Sequence, residues 1–270
     1  MNKEKSIKKR LVLGDVHGHI DSIKQAYLIE QPDDVIILGD YFDSFHGTDN
    51  DIISCFNEII EMKKAHSNGE FILLIGNHDF HYIVESERYS GKRYSYADYV
   101  KILLNDSIND GNLQYFYADK KNRILFSHAG LTNSWIKHNK IKFKDIDELN
   151  NVKNEFFKFT WESDKKHPEY GYGNGIYASP IWIRPMSLLD DMYKDKDGYM
   201  WTQCVGHTTG RFAQSWIIDN NGDFVKYYGP MEYGPESVVK LFVIDSLPNN
   251  YLLQTLDKDG NIISQNIKQL

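Results

Sequence analysis

Three apolar runs in the first third of the chain, "RLVLGD" (10–15), "DVIILGD" (34–40) and "FILLIGN" (71–77), each close on a glycine followed by an aspartate or asparagine. Segments of helical period lie between them. "IDSIKQAYLI" starts at residue 20, with Asp21 or Ser22 as its cap. "DIISCFNEIIEMKKAH" starts at residue 51, places Ile52, Ile53, Phe56, Ile59 and Ile60 on one face, and stops at Asn68-Gly69. Strands alternating with helices of this length specify β-α-β units and a parallel sheet.

A further helix, "YADYVKILL", precedes the strands "LQYFYAD" and "RILFSHAG". Residues 133 to about 180 are polar, aromatic and Lys-rich and end in "EYGYGNGIYASP", which reads as a cap or insertion. The last third is β-rich, with hairpin turns at Asn221-Gly222 and Asp259-Gly260. With 270 residues, 41% of them apolar, one domain over 1–270 can bury its core, and its later strands are expected to add a second sheet. The basic start "MNKEKSIKKR" leads into an apolar run broken at once by Gly14 and Asp15, so no signal-peptide core forms, and no stretch is long enough to span a membrane. A cytoplasmic protein is expected, in keeping with Cys55 and Cys204, which lack ligand spacing and read as small buried apolar residues. A net charge of −7 argues against general nucleic-acid binding.

In open α/β sheets, ligands bind where loops leave the carboxyl ends of strands. The segments there are "GDVHGH" (14–19), "GDYFDS" (39–44), "GNHDF" (76–80), "SHAG" (127–130) and "GHTTG" (206–210). They bring Asp15, His17, Asp40, Asn77, His128 and His207 to one edge. Carboxylates, an amide and imidazoles suit Mn²⁺, Fe or Zn²⁺ rather than an all-oxygen Ca²⁺ site. A single Gly-Asp after a strand is usually a turn or a helix cap. Five such motifs in series are not explained by turn chemistry, which also has no need of the candidate histidines His17, His128 and His207 in three of the loops.

As a set, "GDVHG", "GDYFD", "GNHD", "SHAG" and "GHT" resemble the calcineurin-like metallophosphoesterase superfamily over nearly the whole chain, and "GHT" without a second histidine resembles its phosphoprotein phosphatase branch, which includes bacterial and phage Ser/Thr phosphatases and diadenosine tetraphosphatases. The resemblance implies an α/β fold, a two-sheet β-sandwich flanked by helices. It implies two divalent metal ions, manganese by expectation and iron or zinc as alternatives: Asp15, His17 and Asp40 for the first, Asp40, Asn77, His128 and His207 for the second, with Asp40 bridging. It further implies attack on phosphorus by a metal-bridging hydroxide. His78, beside Asn77, is the candidate proton donor to the leaving group, and Asp43 the carboxylate that orients and charges it. Asp79 stands where many relatives of this branch carry glutamate and is expected to cap or support the loop. Those relatives place an arginine directly after the second Asp of "GD-x-x-D", and here that residue is Ser44. Arg184 in "SPIWIRP" is then the phosphate clamp, with Arg211 in reserve.

The expected substrate is a phosphomonoester, with phosphoserine or phosphothreonine in a protein chain as one such class. A nucleotide or dinucleoside polyphosphate hydrolase is the alternative, in which Tyr170, Tyr172, Tyr177 and Trp182 could stack on a base. A phosphodiesterase ranks lower, because many of those carry G-H-x-H. A binding module on an inactive scaffold would lack ligands, and none is missing. No membrane partner is expected.

Overall fold

The computed structural model describes residues 7–44, 47–84, 91–154, 159, 173–219, 221–234 and 238–270. Strands β1 (Lys8–Leu13), β2 (Asp34–Ile37), β3 (Phe71–Leu74) and β4 (Leu113–Gln114) run parallel, as the β-α-β pattern requires. Helices α1 (Ile20–Glu30) and α2 (Asp49–Ala65) join the first three. The chain then crosses to a second sheet through β5 (Phe116–Asp119) and β6 (Ile124–Ser127), continued by β7 (Thr202–Val205), β8 (Gln214–Ile218), β9 (Phe224–Tyr228) and β11 (Val239–Val243). In that sheet β6, β7 and β11 are parallel. The closing hairpin, β12 (Asn250–Leu256) with β13 (Ile262–Gln269), does not join the second sheet as expected of the later strands. It pairs antiparallel with β1 and, with β10 (Met231–Tyr233), extends the first sheet to seven strands.

Alternate residues of one strand go to different layers, the period-2 signature of a sheet buried on both faces. Leu11, Leu13, Val35, Ile37 and Leu73 pack under α1, α2 and α4 (Ala97–Asn109), with Ile23, Phe56, Ile59, Val100 and Leu104. Val12, Ile36, Ile72 and Leu74 face the second sheet, where Ile124, Phe126, Cys204 and Phe242 meet them. The outer face of that sheet, Val205, Trp216, Leu241 and Val243, is covered by Leu188 and Leu189 of α6 (Pro185–Asp190). The result is the expected helix–sheet–sheet–helix sandwich.

Helix boundaries differ from expectation where local hydrogen bonding decides them. Asp21 and Ser22 lie inside α1, whose N-cap is His19, with no side-chain capping bond. Thr48 caps α2 in a capping box with Asp51, and the helix ends at His66 rather than Asn68-Gly69. "NHDFHYI" after β3 is a helix, α3 (Asn77–Ile83), not a loop. Of the segment 133–180, α5 (Asn133–His138) and a 3₁₀ helix (Ile146–Asn154) are described, while residues 155–158 and 160–172, including Tyr170 and Tyr172, lie outside the described residues. Among the described residues no helix is long and apolar enough to cross a membrane. Both cysteines are buried and unbridged, as expected.

Candidate active site

The parallel registers of β1–β3 and of β6, β7 and β11 bring six strand ends to one edge. The glycines there are needed for close approach. A Cβ on Gly76 would lie 2.0 Å from Asp40 Oδ1, and one on Gly206 would lie 2.0 Å from Asp15 Oδ1. Each carboxylate thus rests on the bare backbone of a neighbouring strand end, Asp40 on Gly76 and Asp15 on Gly206, while Gly14 and Gly39 lie against the backbone of Ile244 and Gly76. His17, Asp40, Asp43 and His207 have positive φ angles of 40°, 55°, 63° and 61°. Non-glycine residues held there cost about 1–3 kcal/mol each and persist where the surroundings over-determine them.

Asn77 Oδ1 lies 2.8 Å from both His128 Nε2 and His207 Nδ1. His128 Nε2 is 3.4 Å, and His17 Nε2 3.6 Å, from Asp40 Oδ2. Candidate ligand atoms of Asp15, Asp40 and His128 all fall within 4.8 Å of one another. Both His128 and His17 point Nδ1 at a backbone carbonyl, Leu38 O at 2.7 Å and Phe42 O at 3.0 Å. Those bonds fix the tautomer and turn the Nε2 lone pairs inward. A neutral His128 therefore faces Asn77 Oδ1 and Asp40 Oδ2 acceptor to acceptor, an arrangement that needs a positive charge among the three.

Charge balance asks for the same thing. Burial, with Asp245 and Asp40 nearby, pushes Asp15 well above the usual carboxylate range. Burial, with His128 and Arg184, holds His207 well below the ordinary imidazole value, so it stays an uncharged donor. Its Nε2 is buried without a hydrogen-bond partner among the described residues. Burial works against charge on both Asp40 and His128, but the two support each other: Asp40 raises His128 above its ordinary value, and the positive charges of His128 and His78 keep Asp40 ionised, well below its usual value. Within the protein itself, His128 carries the positive charge that the buried carboxylates call for; crowded carboxylates, an amide oxygen and imidazoles suit divalent cations of the Mn, Fe or Zn kind, and the residues present fit such ions.

His78 opens α3 with its backbone N–H on Asp40 Oδ1 at 2.8 Å, and its Nδ1 lies 3.0 Å from Asp43 Oδ2. Burial disfavours its charge, but Asp40 and Asp43 outweigh that and carry the imidazole up to about 9. Asp79 accepts the backbone N–H groups of Asp40 (2.9 Å), Tyr41 (2.8 Å) and Gly76 (2.9 Å), tying the β2 exit to the start of α3.

Arg184 donates to His207 O at 3.1 Å and to Thr208 Oγ1 at 3.4 Å, at the margin of the cluster. Arg211 is exposed, with its guanidinium over the Phe212 ring. Ser44 is buried, and its carbonyl accepts from Arg93 Nη2 at 2.7 Å. Arg93 also bonds Gly47 O and Asp49, so its guanidinium braces the loop at this point. Trp182 packs edge-on against His207 with centroids 5.2 Å apart, while Tyr177 sits beside His138.

Sequence reasoning missed Asp245, His81, Tyr82 and Arg93. Asp245 follows β11 and crowds Asp15; the signal was an apolar run, "LFVID", ending in aspartate at a strand end, like the others but without the glycine. His81 and Tyr82 stand three and four residues after His78, on the same helical face, and became visible only once "NHDFHYI" was a helix.

A two-sheet sandwich with acids and imidazoles gathered at one strand edge defines a metal-binding hydrolase. The calcineurin-like phosphoesterase family model matches residues 8–208, and the chain belongs to that family. Among solved structures, a cold-active protein-tyrosine phosphatase from a psychrophilic Shewanella species is 17% identical, with TM-score 0.54 over 98% of this chain and 81% of its own. A protein serine/threonine phosphatase from Saccharomyces cerevisiae is 14% identical, with TM-score 0.53 over 100% of this chain and 82% of its own. At such identities the likeness is one of fold. A comparison with curated proteins finds no significant match.

Proposed function

We propose that the protein is a dinuclear-metal phosphatase that hydrolyses a phosphomonoester, with protein phosphoserine or phosphothreonine as the substrate class. The observation that carries this reading is the His78–Asp43 pair, 3.0 Å apart beside the metal-ligand cluster. An alkyl phosphate leaves as a strongly basic alkoxide and needs a proton in the transition state, whereas a phosphoanhydride releases a weakly basic phosphate and gains less from an acid. A charged, partly exposed histidine at this place answers the first need.

Asp15, His17 and Asp40 would hold one cation and Asp40, Asn77, His128 and His207 the other, manganese being the ion proposed. When bound, the pair would supply Lewis acidity at the phosphoryl oxygens and lower the pKa of the attacking water. The chain's own residues do the rest. Asp43 orients His78 through Nδ1, and His78 delivers the proton from Nε2 to the leaving oxygen. Arg184 grips the phosphoryl oxygens from the His207 side. Asp79 holds the Asp40 loop in its strained conformation.

Ser44 supports a second reading, a nucleotide or dinucleoside polyphosphate hydrolase, because a guanidinium expected of phosphoprotein phosphatases is replaced there. The test is a substrate panel with Mn²⁺: p-nitrophenyl phosphate, phosphopeptides, mononucleotides and diadenosine tetraphosphate. The highest kcat/KM is expected for phosphopeptides. A clear preference for diadenosine tetraphosphate would replace the first reading by the second.

A further inference from the structure

Asp43 has more polar groups around it than a simple pair with His78 requires. His81 Nε2 lies 2.5 Å from Asp43 Oδ2, the oxygen that also faces His78, and both side chains are fully buried. The Tyr82 hydroxyl donates to the other oxygen, Oδ1. Positions 78, 81 and 82 fall one turn apart on α3, so a single helical face presents two imidazoles and a phenol to one carboxylate. Tyr82 is itself fixed, since its hydroxyl accepts the Arg93 backbone N–H at 2.9 Å. A Cβ on Gly91 would stand 3.1 Å from Asp43 Cβ, so the 91–93 backbone closes the far side of the carboxylate.

We propose that His81 and Tyr82 are positioning residues for proton delivery: they lock the Asp43 carboxylate so that it fixes the His78 ring with Nε2 toward the leaving oxygen. The inference rests on the reading of His78 as the proton donor. A buried carboxylate with one partner has unsatisfied lone pairs and is free to change rotamer. The hydrogen bonds from His78 and Tyr82, with the His81 imidazole pressed against Oδ2, remove that freedom. They also make Asp43 a poorer base, so it holds the His78 proton in place without taking it. His81 and Tyr82 touch neither the substrate nor the metal ligands in this scheme; their effect passes entirely through Asp43.

The test uses the Mn²⁺-loaded full chain with two esters, p-nitrophenyl phosphate, whose leaving group needs little protonation, and a phosphoserine peptide, whose alkoxide needs it fully. In His81→Leu, kcat for the phosphopeptide is expected to fall about 10- to 100-fold, the size typical of losing a group that orients another. The rate on p-nitrophenyl phosphate, both KM values and the metal content are expected to change little. His81→Gln keeps a donor at nearly the same reach and is expected to recover most of the loss. Tyr82→Phe keeps the ring in the core and is expected to show the same ester-dependent loss, which preserves the test if His81→Leu does not fold. Equal losses on both esters, or a metal content that falls in His81→Gln, would overturn the proposal by marking a structural or ligand role. His78→Ala separates the two levels. If His78→Ala shows the ester dependence and the His81 and Tyr82 variants do not, the positioning role alone fails; if His78→Ala lacks it too, the proton-donor reading has failed first.

Discussion

Asp79 and Asp40 are neighbouring buried carboxylates with opposite tasks. Asp79 Oδ2 takes the Asp40 backbone N–H at 2.9 Å, while Asp40 turns its own Oδ1 to the His78 backbone N–H at 2.8 Å. Burial and the charge of Asp40 push Asp79 up to about 7, against the pull of the backbone donors of Gly76 and Tyr41. Asp79 is thus the anchor of a loop whose residue Asp40 holds a φ of 55°.

Asp79→Asn tests that anchoring. Both Asp79 oxygens accept backbone N–H groups, Asp40 and Gly76 on one and Tyr41 on the other, so an amide must turn its NH₂ toward at least one donor. A loss of about 1–3 kcal/mol is expected, the usual cost of leaving a buried donor unsatisfied. Thermal unfolding of the metal-free protein measures it, and an unchanged melting temperature would show that the loop does not depend on Asp79.

Gly76→Ala addresses the close approach. The added methyl would fall 2.0 Å from Asp40 Oδ1 and 2.6 Å from Asp40 N, so the carboxylate or the strand end must shift. A misplacement of about 1 Å at a reacting centre costs on the order of 10²-fold in rate. Metal content by elemental analysis and turnover of p-nitrophenyl phosphate are both expected to fall. Normal metal loading at full turnover would mean that Asp40 does not need its place on the Gly76 backbone.

The same geometry explains how much of the site could be read in the sequence. Gly14-Asp15, Gly39-Asp40 and Gly76-Asn77 were legible because neighbouring strand ends approach one another too closely there for a side chain, Gly14 against Ile244 O, Gly39 against Gly76 N and Gly76 against Asp40 Oδ1. Asp245 was hidden because "VIDS" carries no glycine and its crowding with Asp15 depends on how the second sheet faces the first. The face shared by His78, His81 and Tyr82 depends on α3, whose seven residues are too few for a helical period to stand out. The return of β12–β13 to β1 is a long-range pairing, with Leu11 opposite Leu253, that no local pattern encodes. Arg93 was equally hidden, since the carbonyl it braces, Ser44 O, lies 49 residues away along the chain.

Arg184→Ala is expected to lower kcat/KM for phosphomonoesters about 10-fold or more, with metal content unchanged, because a guanidinium at the His207 margin would grip phosphoryl oxygens that an alanine cannot. Its present bonds to His207 O and Thr208 Oγ1 place it beside the ligands without making it one. Arg184→Lys keeps charge but not the planar fork and should recover only part of the loss. Steady-state kinetics with metal analysis decides the matter, and unchanged KM and kcat in the alanine variant would remove Arg184 from the site.

Far from the metal-ligand cluster, Glu30 joins three parts of the first sheet and its helix layer. It ends α1, accepts Lys268 Nζ at 2.8 Å and the Tyr251 hydroxyl at 2.7 Å on Oε1, and meets Lys9 Nζ at 3.6 Å on Oε2. Burial disfavours its charge, but the bonds from Lys268 and Tyr251 outweigh this and hold it below the ordinary glutamate value. A carboxylate whose folded pKa is depressed contributes stability that is fully present above its unfolded pKa of about 4.3 and is lost as pH falls through the folded value. Glu30→Gln removes the charge and leaves the shape. Wild type is therefore expected to exceed the variant by about 1 kcal/mol at pH 6–7, a figure kept low because Lys9 and Lys268 are partly exposed. The difference should shrink progressively below pH about 4.3. Urea denaturation of both proteins across pH 3–7 follows it, and a difference that stays constant with pH would show that the Glu30 charge contributes nothing to the fold.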